Sequence, residues 1–189
     1  LTGIKINLPL TEEKINILKS GDQLLLSGFL FTARDAAHQR LVQSLGEKQD
    51  LPVELNGQVI YYAGPTPAPP GRVIGAAGPT TSMRMDSMTI PLLKQGLKGM
   101  IGKGKRSSEV KSALIKYRAV YLAATGGAGA LLAQRIKSAE VVAYADLGSE
   151  AIYKLEVQEF PVVVINDIYG NDLYEEGQEA YKKKGPEKV

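Results

Sequence analysis

The 189-residue sequence contains no cysteine and a single histidine, His38. Without thiols there is no disulfide, no thiolate nucleophile, and no iron–sulfur or zinc site built on this chain's own sulfur. One imidazole argues against a self-contained transition-metal centre. A strong excess of one charge is also missing. The 23 basic and 20 acidic residues leave +3, too little for a nucleic-acid-coating surface but compatible with a local anion site. No apolar run is long enough to span a bilayer, and no basic-plus-apolar leader opens the chain. The expectation is a soluble, cytoplasmic chain of one domain with a real core.

What is present reads as alternating strands and helices. Thr11 with Glu12 and Glu13 looks like a helix N-terminus, closed by Gly21. Leu24 to Phe31 is an apolar run suited to a buried strand. Thr32 to Asp35 then has the S/T-x-x-D form of a helix entry, and that helix runs to Gly46. Asn56-Gly57, between Val53–Leu55 and Val59–Tyr62, predicts a hairpin of antiparallel strands. Residues 64 to 79 are too rich in proline and glycine for a helix and read as a stiff, exposed connection. Beyond them the pattern predicts helices over 89–95, 108–117 and 127–136, and strands over 99–101, 119–124, 141–144 and 162–165. The chain is therefore expected to be α/β with mixed strand directions. Residues 1–175 form the domain and 176–189 a charged C-terminal tail, either a solvated helix end or disordered.

Four segments could carry chemistry. Gly126-Gly127-Ala128-Gly129 lies between a strand and a helix, so its amides either hold an anion or merely permit a tight turn. Gly102-Lys103-Gly104-Lys105-Arg106 gathers three cations before a helix N-terminus. It is a solvated basic loop or an anion site, and no interleaved aromatics favour nucleic acid. Gly78 to Asp86 places three hydroxyls before Arg84, which could pair locally with Asp86. In T-A-R-D-A-A-H, residues 32–38, Arg34 stands at a strand-to-helix transition. There it can present a planar fork to a carboxylate or simply pair with Asp35.

These segments occur together in a familiar order. T-A-R-D-A-A-H (32–38), V-I-Y-Y-A-G-P-T-P (59–67), G-P-T-T-S-M-R-M-D (78–86) and M-I-G-K-G-K-R-S (100–107) closely resemble the C-terminal domain or beta subunit of class I fumarases. So do A-V-Y-L-A-A-T-G-G-A (119–128), V-V-A-Y-A-D-L-G-S-E-A-I (141–152) and F-P-V-V-V-I-N-D (160–167), which extends the likeness over nearly the whole chain. The resemblance implies a single swivelling β/β/α domain with a mixed sheet. It also implies a hydro-lyase that interconverts malate and fumarate with a four-iron, four-sulfur cluster. That cluster would be carried by cysteines of a partner alpha subunit, in a hetero-oligomer of alpha and beta chains, and the beta chain alone would be inactive. Self-association of the isolated chain stays open.

By the same resemblance, Arg34, Thr80, Arg84 and Lys103 match substrate-site positions, and Thr80 matches the residue credited as general base. The residue types suit the task. A dicarboxylate needs fixed cations, and removing a proton beside a carboxylate builds negative charge that Arg or Lys stabilises. An aliphatic hydroxyl becomes a base only with a cation close by, so Arg84 or Lys103 has to be near Thr80. His38, on the helix after Arg34, reads as structural or as a support to the site, with general acid–base catalysis as the lesser alternative. Tartrate dehydratase beta subunits share G-P-T-T-S-M-R-M, and the other two N-terminal motifs favour the fumarase branch. The remaining alternative is a non-catalytic dicarboxylate-binding module.

Overall fold

Period-two alternation of apolar residues decides which way each strand faces. The computed structural model describes residues 2–125 and 127–184. The elements run β1 (Ile4–Asn7), α1 (Glu12–Ile17), β2 (Gln23–Thr32), α2 (Asp35–Gly46), β3 (Val59–Tyr61), α3 (Asp86–Lys94) and β4 (Gly99–Gly102). They continue with α4 (Ser108–Tyr117), β5 (Val120–Ala123), α5 (Gly129–Ala133), β6 (Ile136–Ala143), β7 (Ile152–Asn166) and α6 (Leu173–Lys184). A 3₁₀ turn, Ser82–Met85, leads into α3, and another irregular 3₁₀ stretch, Ala145–Glu150, links β6 to β7. No helix among the described residues is long and apolar enough to cross a membrane.

Strands β1 to β5 pair in parallel in sequence order. β7 runs against this direction, pairing with β5 on one side and with β2 along most of its length on the other. The circuit β2–β3–β4–β5–β7 therefore closes on itself, with β1 and β6 as flanking strands. Mixed α/β architecture with a mixed sheet is thus what the chain adopts.

Two cores follow from the alternation. Val59 and Tyr61 of β3, Val120 and Leu122 of β5, and Leu155, Val157 and Phe160 of β7 pack in one. The intervening Ile60, Tyr62 and Tyr121 belong to the other, against Leu41 of α2, Leu92 of α3 and Leu114 of α4. The capping signals work as expected at α1, where Thr11 caps Lys14 N–H, and at α4, where Ser107 caps Val110 N–H at 3.3 Å.

Several sequence expectations are corrected. Asn56-Gly57 makes no hairpin, because both edges of β3 are taken by parallel partners. The Gly57 amide instead donates to the Gly96 carbonyl at 2.9 Å. Thr32 does not cap α2, because β2 extends through it and its hydroxyl accepts from Tyr153 N–H at 3.1 Å; Arg34 is the N-cap. The helix expected over 127–136 shrinks to Gly129–Ala133, since Ile136 already belongs to β6 and is buried. Of the two readings of the charged tail, its described first part takes the helix end, as α6, where Lys111 pairs with Glu175 at 2.5 Å. Gly126 and residues 185–189 lie outside the described residues.

Candidate functional site

Three parallel strands, β2, β3 and β4, point their C-terminal ends at one place. β2 ends at Thr32 and delivers Arg34. β4 ends at Gly102 and delivers Lys103. Between them the segment after the proline-rich connection folds back over β3. Thr80 N–H donates to the Tyr62 carbonyl at 2.7 Å, Lys103 N–H to the Thr80 carbonyl at 3.1 Å, and Ser82 N–H to the Lys103 carbonyl at 2.9 Å. Thr80 is therefore laced by backbone into the gap between two strand ends. The 3₁₀ turn that follows brings Arg84 back over it.

All four residues singled out from the sequence meet here. Arg84 Nη2 donates to Thr80 Oγ1 at 2.8 Å and to Asp35 Oδ2 at 3.0 Å. Arg34 Nη2 lies 3.6 Å from the same Asp35 oxygen and 3.5 Å from Glu150 Oε1. Glu150 Oε2 meanwhile accepts from Ala36 N–H at 2.9 Å. Two carboxylates thus sit at the N-terminus of α2, where they favour the helix dipole and balance an arginine that does not. Lys103 is exposed, and its ammonium makes no hydrogen bond or ion pair among the described residues. Arg34 Nε is buried without a partner. The cluster has two guanidinium groups, two carboxylates and one hydroxyl already hydrogen-bonded to a cation, with Lys103 joined to it through its backbone, so it can take up an anion and stabilise negative charge on Thr80 oxygen.

Close packing supports this arrangement. A Cβ placed on Gly64 would lie 2.9 Å from Arg34 Nη1, so the glycine of the Y-Y-A-G-P segment makes room for the guanidinium. The glycine turn abuts the Thr80 segment. Ala77 N–H donates to the Gly129 carbonyl at 3.1 Å, and a Cβ on Gly129 would come within 2.9 Å of Gly78 N. Close backbone approach is a sufficient reason for glycine there.

Arg106 behaves unlike the two lysines beside it. Its side chain has no exposed surface, and Nε donates to Asp86 Oδ1 at 2.7 Å and Nη2 to Thr89 Oγ1 at 2.7 Å. The guanidinium stands 5.5 Å and 5.1 Å from the ring centres of Tyr62 and Tyr121. Burial works against its charge, yet Tyr62 and Asp86 together outweigh burial and hold its pKa above the ordinary value. Asp86 also accepts from Ser107 N–H at 2.6 Å, so this pair fastens α3 to the start of α4. The local Arg84–Asp86 pair suggested by the sequence does not form. Arg84 turns to Asp35 and Asp86 turns to Arg106.

His38 is fully buried. Its Nδ1–H donates to the Arg34 carbonyl at 2.9 Å, its ring meets Tyr62 edge-on at 5.2 Å, and Nε2 has no partner. Burial first, and the Arg106 charge with it, push its pKa down to about 4 against the opposing pull of the Arg34 carbonyl and Asp35. A neutral, enclosed imidazole of this kind braces the Arg34 backbone. The contributions that sequence reasoning missed are Glu150, 116 residues from Arg34, and the Asp35–Arg84 contact across 49 residues. No local pattern encodes either one.

The "Fumarase C-terminus" family pattern matches residues 2–177. The aerobic class I fumarate hydratase of Salmonella typhimurium is 38% identical over 181 residues, covering 94% of this chain and 31% of that protein. Its Escherichia coli counterpart is 39% identical over 179 residues, covering 93% and 33%. The putative L(+)-tartrate dehydratase subunit beta of Methanocaldococcus jannaschii is 39% identical over 181 residues, covering 92% of this chain and 93% of that protein. The chain spans about a third of the length of these fumarate hydratases and nearly all of the tartrate dehydratase subunit. With the family pattern matched almost end to end, and relatives this similar aligned over more than nine-tenths of it, the chain belongs to the fumarase C-terminus family.

Proposed function

We propose that this chain is the beta part of a class I, fumarase-type hydro-lyase that reversibly dehydrates malate to fumarate. In this reading residues 1–175 are a swivelling β/β/α domain that closes over a cytoplasmic alpha partner. The observation that carries it is Arg84 Nη2 at 2.8 Å from Thr80 Oγ1, with Arg34 and Lys103 beside them at the ends of three parallel strands. Arg34, Arg84 and Lys103 take the substrate carboxylates. Thr80 oxygen, its negative charge stabilised by Arg84, accepts the proton from the carbon beside one carboxylate. The electron pair left behind moves first into that carboxylate, held by the same cations, and then into the new double bond as hydroxide leaves the neighbouring carbon. Met83, 58% exposed beside Arg84, suits a face that a partner covers.

These 189 residues hold no cysteine, so in this reading the thiolates of a four-iron, four-sulfur cluster come from the alpha part. When bound there, the cluster supplies Lewis acidity toward the departing hydroxyl. Coverage of 93% of a putative tartrate dehydratase beta subunit supports a second reading, in which tartrate is the substrate.

The test is co-expression with a cysteine-bearing alpha chain, anaerobic purification, and assay against malate, fumarate and tartrate. Thr80→Ala should lower turnover on the order of a hundred- to ten-thousand-fold with little change in KM. Near-normal turnover would reduce Thr80 to a positioning role. Activity on tartrate alone would select the second reading.

A further inference from the structure

Arg84, the cation that bonds the Thr80 hydroxyl, is itself loosely anchored. Its side chain is 48% exposed, and among the described residues its guanidinium is bonded through Nη2 alone. Nη2 carries two hydrogens, one directed to Thr80 Oγ1 and the other to Asp35 Oδ2. Of these two acceptors only Asp35 is charged, and charge-assisted hydrogen bonds are roughly twice as strong as neutral ones. A long side chain left in solvent has its rotamer entropy working against any single pose. The Thr80 hydroxyl by itself is a weak counterweight.

Asp35 is well placed to hold that pose. It is the first residue of α2, a helix fixed by the buried side chains of Ala37, His38 and Leu41 and by the bond from Ala36 N–H to Glu150. Its Oδ2 also stands 3.6 Å from Arg34 Nη2, so one oxygen references both guanidinia to the same helix end.

We propose that Asp35 is a positioning residue for the hydro-lyase site: its carboxylate sets the orientation of Arg84 against Thr80 and the spacing of Arg84 from Arg34. This rests on the functional reading above for its kinetic consequence, though not for its geometry. An acid at the first position of a helix also favours the helix dipole. The test therefore has to separate alignment from helix stability.

Two measurements do so. On the full chain, nitrogen-15 spectra of the arginine side chains at low temperature should give Arg84 a resolved, slowly exchanging Nη2 signal. That signal should vanish in Asp35→Asn and in Asp35→Ser, where serine keeps a helix-starting side chain without the charge. In the anaerobic complex with the alpha chain, Asp35→Asn should lower kcat by about ten- to a hundredfold, the scale of a misplacement near one ångström, with KM unchanged or lower. Added to Arg84→Lys, it should cost little more, because both changes break the same contact.

Retention of the Arg84 signal in both variants would overturn the proposal, as would kcat within twofold of the parent, or full additivity with Arg84→Lys. A parent complex inactive on malate, fumarate and tartrate would count against the functional reading. The spectra would then still decide the role of Asp35.

Discussion

Two arginine–carboxylate pairs lean on the same short stretch, residues 80 to 86, and they do different work. Arg106 is buried and Asp86 largely so, and each of the three guanidinium nitrogens of Arg106 donates to an acceptor. Arg84 and Asp35 lie at the surface, and Arg84 shares one nitrogen between a carboxylate and a hydroxyl. A desolvated pair is costly to break because the surviving charge is stranded, whereas an exposed pair contributes little to stability. Charge type therefore does not separate scaffold from site. Burial and unfilled donor capacity do.

The largest effect is expected from Arg106→Leu, which strands Asp86 and leaves Tyr62 and Thr89 without their guanidinium donor. It should destabilise the chain by about 3–5 kcal/mol, measured by urea unfolding. A loss below about 1 kcal/mol would place Arg106 with the surface arginines.

His38 offers the next largest effect. Its folded pKa of about 4 lies below the ordinary value near 6.5, so between these values the unfolded chain binds more protons than the folded one. Stability should therefore rise as pH increases from about 4 to 6.5 and level off above, by a total of about 3 kcal/mol at ~1.4 kcal/mol per unit. His38→Gln should flatten that slope in urea titrations across the same window.

Arg84→Lys should leave the unfolding midpoint nearly unchanged, within about 1 kcal/mol. In the assembled enzyme it should nevertheless raise KM and lower kcat, because lysine keeps the charge and loses the planar fork. At the far end of the scale, Arg40→Ala removes the exposed partner of Asp146 and should not move the thermal midpoint measurably, by differential scanning calorimetry.

The sequence carried a good part of this. Helices α1, α2 and α4 were legible because Thr11, Gly46 and Ser107 act where caps and breakers act in any chain. The length of β7 was not legible, because Lys154, Glu156 and Gln158 interrupt its apolar run, and only pairing with β2, β5 and β6 makes fifteen residues one strand. Asn56-Gly57 misled because its local turn preference is real while its neighbours in space are set by distant parallel strands. At the site, the motifs led to Arg34, Thr80, Arg84 and Lys103, and the structure gathers them around the ends of β2 and β4 and the turn before α3. Lys103 and Arg106 are nearly adjacent in sequence and share a charge. Nothing in that spacing says that one faces solvent and the other is enclosed by two tyrosines. The carboxylates that hold the arginines come from α2 and from beyond β6, contacts that exist only once the sheet has closed.

The contact between Gly129 and Gly78 has a bearing on any attempt to redesign substrate choice here. Two backbones meet with no side chain between them, so the loop bearing Thr80 and the turn after β5 act as a matched pair of parts. Diversifying position 129 alone would shift Thr80 without altering any group that meets a ligand, and a screen would score that as loss of function. The two loops have to be varied jointly, because an acceptable change in one is defined only by the current shape of the other.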